Sequence, residues 1–250
     1  MFHVEQSSSS SMAGTTPPEE FRRICRRNGL DLSDSQIILL TRFVDGVLEW
    51  NSKINLISRR DQENIWFSHV LHSLTPLFYI GFSDGLRVLD LGTGGGFPGI
   101  PLAIARPDLE VVLLDSIRKK TLVVQDLVDR LGLTGVSVWT GRAEEAHLDQ
   151  KAGGTFDLVV TRAVASLREL VHWSRPYLRV SRSAPGETNG VNRVRFVSPG
   201  LVALKGGDLE KEIAETKSKE SVRSVQIIRM SFEGSIELGL EDKKAVIVSV

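Results

Sequence analysis

The hydrophobic pattern of the first third of the chain is helical. Apolar residues there recur every three or four positions, which predicts amphipathic helices over 19–30 and 33–50. Ser33 stands where its side chain can cap the second of these helices. A further helix with aromatic anchors at Trp66 and Phe67 is predicted after a run of turns.

From about residue 87, short apolar runs alternate with amphipathic segments. The runs RVLDL, LEVVLLD, VSVWT, FDLVVT and LVALK are typical of strands that are buried on both faces of a sheet. The segments between them predict helices over 99–106, 117–131, 142–147 and 167–178. This alternation favours a doubly wound α/β sheet, which is Rossmann-like. The last two runs, SVRSVQIIRM and KKAVIVSV, predict a closing hairpin.

Composition divides the chain into three units. Serines and prolines predict a disordered leader over 1–18, and a helical segment over 19–85 would pack on a main domain over 86–250. The start of the chain has no basic-then-apolar signal, and no apolar run is long enough to span a membrane, so a cytoplasmic protein is expected. Cys25 is the only cysteine, which excludes an internal disulfide and a CxxC metal site, and no metal is expected.

A dense glycine turn, VLDLGTGGGFPGIP, separates the first predicted strand from a helix. Ligands of doubly wound folds bind at such turns, where backbone N–H groups are free. A phosphate loop of the GxxxxGK[ST] type does not fit, because no lysine follows the second glycine. Gly94, Gly96 and Gly99 formally satisfy the dinucleotide pattern GxGxxG, but that pattern should begin at the strand end, where Gly92 stands.

The acidic residue before the turn favours a different ligand. Asp90, Gly92 and Gly94 form the pattern D-x-G-x-G, which is typical of S-adenosyl-L-methionine sites. A carboxylate at the strand tip repels a pyrophosphate but attracts the ammonium and sulfonium groups of this cofactor. Asp115 ends the second predicted strand, where a carboxylate can accept both hydroxyls of a ribose. The alternative is a turn with an incidental capping aspartate.

Two later strand ends add candidate residues. Ala143 and Glu144 follow the third strand, where an adenine ring would lie, although the acid-rich start of a helix explains them nearly as well. Arg162 ends the fourth strand and would face the methyl group and its acceptor. Arginines in such positions also commonly form surface ion pairs.

Seven blocks of sequence carry a resemblance to a known family. They are WNSKINL, HVLHSL, VLDLGTGGGFPGIPLAI, LLDSIRKK, GRAEE, TRAVASL and ALKGG. In order and spacing they resemble the bacterial 16S rRNA guanine-N7 methyltransferases, also called glucose-inhibited division protein B, over residues 20–250. The resemblance implies a class I S-adenosylmethionine-dependent methyltransferase fold and methyl transfer to N7 of guanine 527 in 16S rRNA. Its partner would be 16S rRNA or the small ribosomal subunit, and a monomer is expected.

The resemblance also implies particular site residues. Carried over by motif, the cofactor contacts are Gly92, Phe97, Asp115, Ser116, Ile117, Ala143, Glu144 and Arg162. Two features depart from the family. His72 stands in HVLHSL where the family usually has aspartate, and the stretch 181–196 is longer than the usual link before the next strand.

The proposed acceptor sets the expected mechanism. N7 of guanine has a lone pair and no proton, so the reaction needs no general base and depends on positioning. Arg162 and Lys205 are the candidates for orienting the guanine or its phosphates. Net charge is zero, so RNA affinity would come from local basic clusters. Predicted RNA contacts are Asn55, Arg59, Arg60, His69, Arg118, Lys119, Lys120, Arg193 and Arg195.

Three other function classes remain open from the residues. A class I methyltransferase acting on a small molecule or a protein would keep both aspartates but would need no basic surface. An NAD-dependent oxidoreductase would use the GxGxxG pattern instead. A catalytically silent RNA-binding factor could retain the methyltransferase scaffold without turnover.

Overall fold

A computed structural model describes residues 15–149, 153–162, 164–180, 193–196, 198–232, 235–236 and 238–250. Within these ranges the chain forms a mixed sheet of seven strands. In chain order they are β1 Arg87–Leu91, β2 Glu110–Asp115, β3 Val136–Thr140, β4 Leu158–Arg162, β5 Gly200–Gly206, β6 Ser224–Arg229 and β7 Lys243–Ser249. Their order across the sheet is β3–β2–β1–β4–β5–β7–β6.

The strand pairing confirms the predicted doubly wound sheet and its closing hairpin. Strands β1 to β5 pair in parallel, whereas β7 runs antiparallel to both β5 and β6. The helices are α1 Glu19–Arg27, α2 Asp34–Asn51, α3 Arg59–Gln62, a π-helix Trp66–Leu71, α4 His72–Leu74, α5 Pro76–Tyr79, α6 Gly99–Ala105, α7 Arg118–Leu131, α8 Ala146–Asp149, α9 Leu167–Ser174 and α10 Glu210–Lys219. None of the helices within the described ranges has the length and apolar character needed to cross a membrane.

Both faces of the sheet are buried, which explains the continuous apolar runs. Successive side chains of a strand point to opposite faces. Val88 and Val111 therefore belong to one apolar cluster, with the N-terminal helices, α6 and α7, while Leu89 and Val112 belong to a second cluster with α9. The helices before residue 86 share the first cluster with the sheet, so the two parts pack as one core.

The helix termini differ from the predictions where local sequence signals are weak. At α2 the predicted cap is present, since Ser33 Oγ accepts the Gln36 N–H at 3.3 Å and the Gln36 side chain accepts the Ser33 N–H at 2.9 Å. Helix α8 begins four residues later than predicted, and α9 ends at Ser174 rather than 178. Helix α10 was not predicted, because its sequence EKEIAETKSK carries almost no apolar stripe.

Two predicted loops lie largely outside the described residues. Of the expected leader over 1–18, residues 1–14 are not described, and Thr15 donates its backbone N–H to Asp45 Oδ1 at 2.7 Å, so this end contacts α2. Of the expected loop over 181–196, only 193–196 are described. There Val194–Arg195 pairs in parallel with Ile80–Gly81.

Candidate active site

The strand order reverses beside β1, because β2 lies on one side of it and β4 on the other. A cavity of about 490 Å³ opens at the carboxyl ends of these three strands, the position where ligands bind in open α/β sheets. We call it the switch-point cavity. Among its lining residues are all the predicted cofactor residues except Asp90, namely Gly92, Gly94, Phe97, Asp115, Ser116, Ile117, Ala143, Glu144 and Arg162.

The glycine turn is held against the end of β2. The backbone N–H groups of Gly92 and Thr93 both donate to the carbonyl of Leu114, at 2.8 and 2.9 Å. Gly94 adopts a left-handed conformation with φ +57°, and a Cβ added there would meet no atom within 4 Å. The turn therefore presents bare backbone to the cavity at Gly94, and a side chain at this position would project into free space.

The structure corrects the expected role of Asp90. Its side chain is fully buried and points, like that of Val88, under helix α6 rather than into the switch-point cavity. Asp90 Oδ2 accepts hydrogen bonds from Thr93 Oγ1 at 2.7 Å and from the Gly99 N–H at 2.8 Å. Burial raises the pKa of Asp90 to about 7, and these two hydrogen bonds oppose the rise. Asp90 therefore fastens the turn to α6 and is not placed to touch a cofactor.

Asp115 lies in the cavity and organises its floor. Its Oδ2 accepts the Gly94 N–H at 2.9 Å and its Oδ1 accepts the Ile117 N–H at 2.8 Å. The carboxylate is thus fixed between the glycine turn and the residues that lead into α7. Each of its oxygens has a further lone pair available for a ligand hydroxyl.

The far wall of the cavity comes from residues 141–144 and from α9. Ala143 and Glu144 line it, and the Ala143 carbonyl accepts a hydrogen bond from Tyr177 Oη at 2.7 Å. Trp173 of α9 also lines the cavity, although its sequence pattern indicates only a packed helix. Other lining residues that were not predicted are Leu56, Leu91, Thr93, Gly95, Leu114, Gly141, Arg142 and Val164.

Arg162 is held at the mouth of the cavity by aromatic and polar contacts. Its guanidinium carbon lies 5.1 Å from the centre of the Phe97 ring, and Nη1 donates to the Ser68 carbonyl at 3.4 Å. The His69 ring packs against the same phenylalanine, with 4.9 Å between the ring centres. The π-helix, a geometry often found at functional sites, carries Ser68 and His69 to this point.

The contact between Arg162 and His69 defines the protonation of the histidine. Arg162 Nη2 lies 2.6 Å from His69 Nδ1, and because arginine only donates, Nδ1 accepts. The ring proton is therefore on Nε2, which lies 3.6 Å from Asp61 Oδ2. Burial, followed by the charge of Arg162, lowers the pKa of His69 to about 4, so the imidazole is neutral at neutral pH.

A second cavity, of about 730 Å³, shares Arg162 with the first. We call it the histidine cavity, after His69 and His72 in its wall. His72 is only 6% exposed, and its Nε2 has no hydrogen-bond partner among the described residues. Burial lowers the pKa of His72 to about 3, with smaller contributions from the charges of Arg162 and Lys243. The remaining lining residues are Ser58, Arg60, Asp61, Asn64, Ser68, Leu238, Gly239, Leu240 and Lys243.

Comparison with known proteins gives the family. A family model for rRNA small subunit methyltransferase G matches residues 36–184. A protein of that name from Bacteroides fragilis is 38% identical over 247 residues, covering 99% of each chain. Proteins of the same name from Chlorobium luteolum and Porphyromonas gingivalis are 40% and 42% identical, covering 77% and 68% of this chain and 71% and 70% of their own. This chain belongs to the rRNA small subunit methyltransferase G family.

Solved structures agree with the fold of this family. A carbon methyltransferase, CurJ, superposes with a TM-score of 0.51 at 14% identity over 92% of this chain and 69% of that one. A predicted O-methyltransferase from Agrobacterium tumefaciens gives a TM-score of 0.50 at 13% identity, over 71% of this chain and 79% of its own. At such identities the likeness concerns the fold alone, and it confirms the class I methyltransferase architecture.

Within this member of the rRNA small subunit methyltransferase G family, Lys205 is not in either cavity. Its Nζ donates to Glu212 Oε1 at 2.6 Å and to the Ala165 carbonyl at 2.8 Å. The same Glu212 oxygen accepts the Leu167 N–H at 2.7 Å. Lys205 and Glu212 thus join α10 to the start of α9, and the expected contact of Lys205 with the substrate stays a prediction.

The residues predicted to contact RNA fall into three groups. Arg60 and His69 line the histidine cavity, and Lys120 lines the switch-point cavity. A second group is exposed on the surface and consists of Asn55, Arg59, Arg118 and Lys119. Arg193 instead donates to the Gly29 carbonyl at 2.9 Å, and the side chain of Arg195 lies outside the described part of the chain.

Proposed function

We propose that this chain transfers a methyl group from S-adenosyl-L-methionine to N7 of a specific guanine of 16S rRNA, free or within the small ribosomal subunit. The observation that carries the proposal is the position of Arg162, whose side chain borders both cavities. A methyl donor in one cavity and an acceptor base in the other would meet at this guanidinium. Membership of the rRNA small subunit methyltransferase G family supports the choice of acceptor. We further propose that the chain acts as a cytoplasmic monomer.

The switch-point cavity fits S-adenosyl-L-methionine. Its volume of about 490 Å³ lies within the roughly 300–1,000 Å³ of small-molecule sites. Gly94 leaves free space beside Asp115, whose carboxylate suits the ribose hydroxyls, and Ala143 and Trp173 offer apolar surface for an adenine ring. When bound, this cofactor supplies an electrophilic methyl group on a sulfonium. No group of ligands that could hold a metal ion is found among the described residues.

The chain's contribution to the reaction is positioning. Guanine N7 carries no proton, so the site needs an oriented base rather than a general base. Arg162 keeps its charge at neutral pH, because burial lowers its pKa only to about 10. With two of its nitrogens held by Ser68 and His69, its other N–H groups can donate to O6 of guanine or to a phosphate. Donation at O6 leaves the N7 lone pair free for the methyl group.

Basic residues beside both cavities support an RNA substrate. Lys120 and Arg60 belong to the cavity walls, and Arg118, Lys119 and Arg59 continue the positive surface outside them. Phosphate contacts by such residues release counterions, so substrate binding is expected to weaken steeply with salt. A small-molecule acceptor would not show this dependence.

The test is incubation of the protein with methyl-labelled S-adenosyl-L-methionine and small-subunit rRNA or subunits that lack the modification. Borohydride and aniline then cleave the RNA at N7-methylguanosine, and a single cleaved guanine is expected. An Asp115→Ala variant should lose cofactor binding by calorimetry, because it lacks the carboxylate in the cavity, whereas Asp129→Ala on the exposed side of α7 should not.

The same experiment separates the other functions. Transfer of the labelled methyl group to a protein or a small molecule, without cleavage of the RNA, would refute the proposed acceptor. The chain would then be a methyltransferase that acts on another class of substrate. Calorimetric heat with NADH and none with S-adenosyl-L-methionine would refute methyl transfer and favour an oxidoreductase. RNA binding with cofactor binding but no turnover would identify a silent binding factor.

A further inference from the structure

We propose that the histidine cavity holds the acceptor guanine and that Asp61 selects it, by accepting hydrogen bonds from N1–H and the 2-amino group of the base. The proposal rests on the proposed function and concerns how the same site distinguishes guanine from other purines. It assigns a specificity-determining residue, Asp61, that the sequence motifs do not mark.

The contacts place Asp61 along the cavity wall from Arg162, within the length of one base. If N7 and O6 face Arg162 at the junction of the cavities, N1 and the 2-amino group lie further along the cavity, toward Asp61. Asp61 lies one imidazole ring beyond Arg162, since His69 contacts Arg162 at 2.6 Å through Nδ1 and approaches Asp61 to 3.6 Å through Nε2. A purine is of comparable length to this path, so one base can reach from the guanidinium to the carboxylate.

The chemistry of Asp61 matches guanine and opposes adenine. A hydrogen bond from Ser58 Oγ, at 2.7 Å from Oδ2, holds the pKa of Asp61 below its usual range, with help from His69 and Arg162. The group is therefore a carboxylate at neutral pH, and its Oδ1 carries no hydrogen bond within the part of the chain that the structure describes. Guanine presents two N–H donors at this edge. Adenine presents an N1 lone pair, which a carboxylate repels.

Two further features indicate a polar ligand in this cavity. The Nε2 atom of His72 is buried without a hydrogen-bond partner among the described residues, in a wall of the cavity, and such atoms are normally satisfied. Arg60 and Lys243 line the same cavity and supply positive charge for the phosphates of a nucleotide. A cavity of about 730 Å³ with one carboxylate, cations and an unsatisfied imidazole suits a base turned out of an RNA strand.

The experiment compares two RNAs and three proteins. One RNA carries guanosine at the mapped target, and the other carries inosine, which keeps N7, O6 and N1–H but lacks the 2-amino group. The unmodified protein should prefer guanosine about tenfold in kcat/KM, because a hydrogen bond to a charged group is lost with inosine. In Asp61→Asn the guanosine preference should fall to about twofold or less. The matched variant Glu63→Gln, at an exposed acid two residues away, should keep it.

The ratio of the two RNAs distinguishes recognition from folding. A purely structural role of Asp61 would lower both rates by the same factor and leave the preference unchanged, and that result would overturn the proposal. Equal rates on guanosine and inosine with the unmodified protein would overturn it without any variant. No methylation of the guanosine RNA by the unmodified protein would instead refute the proposed function, and this inference with it.

Discussion

The buried carboxyl of Asp90 makes a quantitative prediction about stability. Its pKa is raised from 3.8 to about 7 by burial, against the hydrogen bonds of Thr93 and Gly99. A group whose pKa is higher in the folded state contributes stability below its unfolded pKa and loses that contribution as pH rises through the folded value. Each pH unit of difference corresponds to 1.36 kcal/mol, so the contribution lost between about pH 4 and pH 7 is roughly 4 kcal/mol.

The perturbation is Asp90→Asn, which cannot ionise but can still accept from Thr93 and Gly99 through its amide oxygen. The difference in unfolding free energy between this variant and the unmodified protein should change in favour of the variant as pH rises. Over the window from pH 5 to pH 7, the expected change is about 1.4 kcal/mol per pH unit. Urea unfolding at half-unit pH intervals, followed by tryptophan fluorescence, measures it.

Asp108→Asn is the matched control. A hydrogen bond from Arg106 holds the pKa of Asp108 below its usual range, so its contribution is present above the unfolded pKa and is lost only as pH falls below that range. The difference in unfolding free energy between Asp108→Asn and the unmodified protein should not change between pH 5 and pH 8. An equally flat curve for Asp90→Asn would refute the reasoning, because it would mean that the folded protein ionises Asp90 already at pH 5.

Two other substitutions test the site assignments. Lys205→Met should lower the unfolding free energy by about 2 kcal/mol, because Glu212 loses a charged partner, and it should leave the saturated methylation rate within about twofold. A much larger loss of methylation rate, measured where the variant is still folded, would indicate that Lys205 acts in catalysis. Gly94→Val should weaken the binding of S-adenosyl-L-methionine about tenfold or more, measured by calorimetry, because the valine side chain would project into the cavity. It should also lower the unfolding free energy by about 1–2 kcal/mol, because the backbone there is left-handed. Unchanged affinity would contradict the placement of the cofactor beside this residue.

The fold was predictable because its strands are buried on both faces. Such strands read as uninterrupted apolar runs, and their alternation with helices admits few topologies. The sequence could also have predicted to which face the Asp90 side chain points. Val88 and Asp90 are two residues apart on one strand, so their side chains lie on the same face. Asp90 was expected to face the ligand because it stands near the end of the strand, but the alternation of side chains along that strand turns it toward α6.

Other parts of the site had no local signal. The role of Lys205 depends on Glu212, which lies on a helix without an apolar stripe, so neither the helix nor the ion pair could be predicted. The histidine cavity joins Asp61, His72 and Lys243 from segments far apart in the chain, and only the folded structure brings them together. Trp173 had no distinguishing signal, because helical spacing does not separate a buried residue from one at a cavity.

The two cavities draw on different stretches of the polypeptide. Most of the histidine cavity comes from residues 58–72, ahead of the sheet, whereas the switch-point cavity is built largely from the sheet's own loops, with Arg162 common to both. Substitutions in 58–72 away from Ser68 and His69, such as those at Asp61, would therefore alter the proposed base-binding cavity and leave the glycine turn and Asp115 in place. Under the proposed function, the choice of the methylated base thus depends mainly on one short segment of the chain.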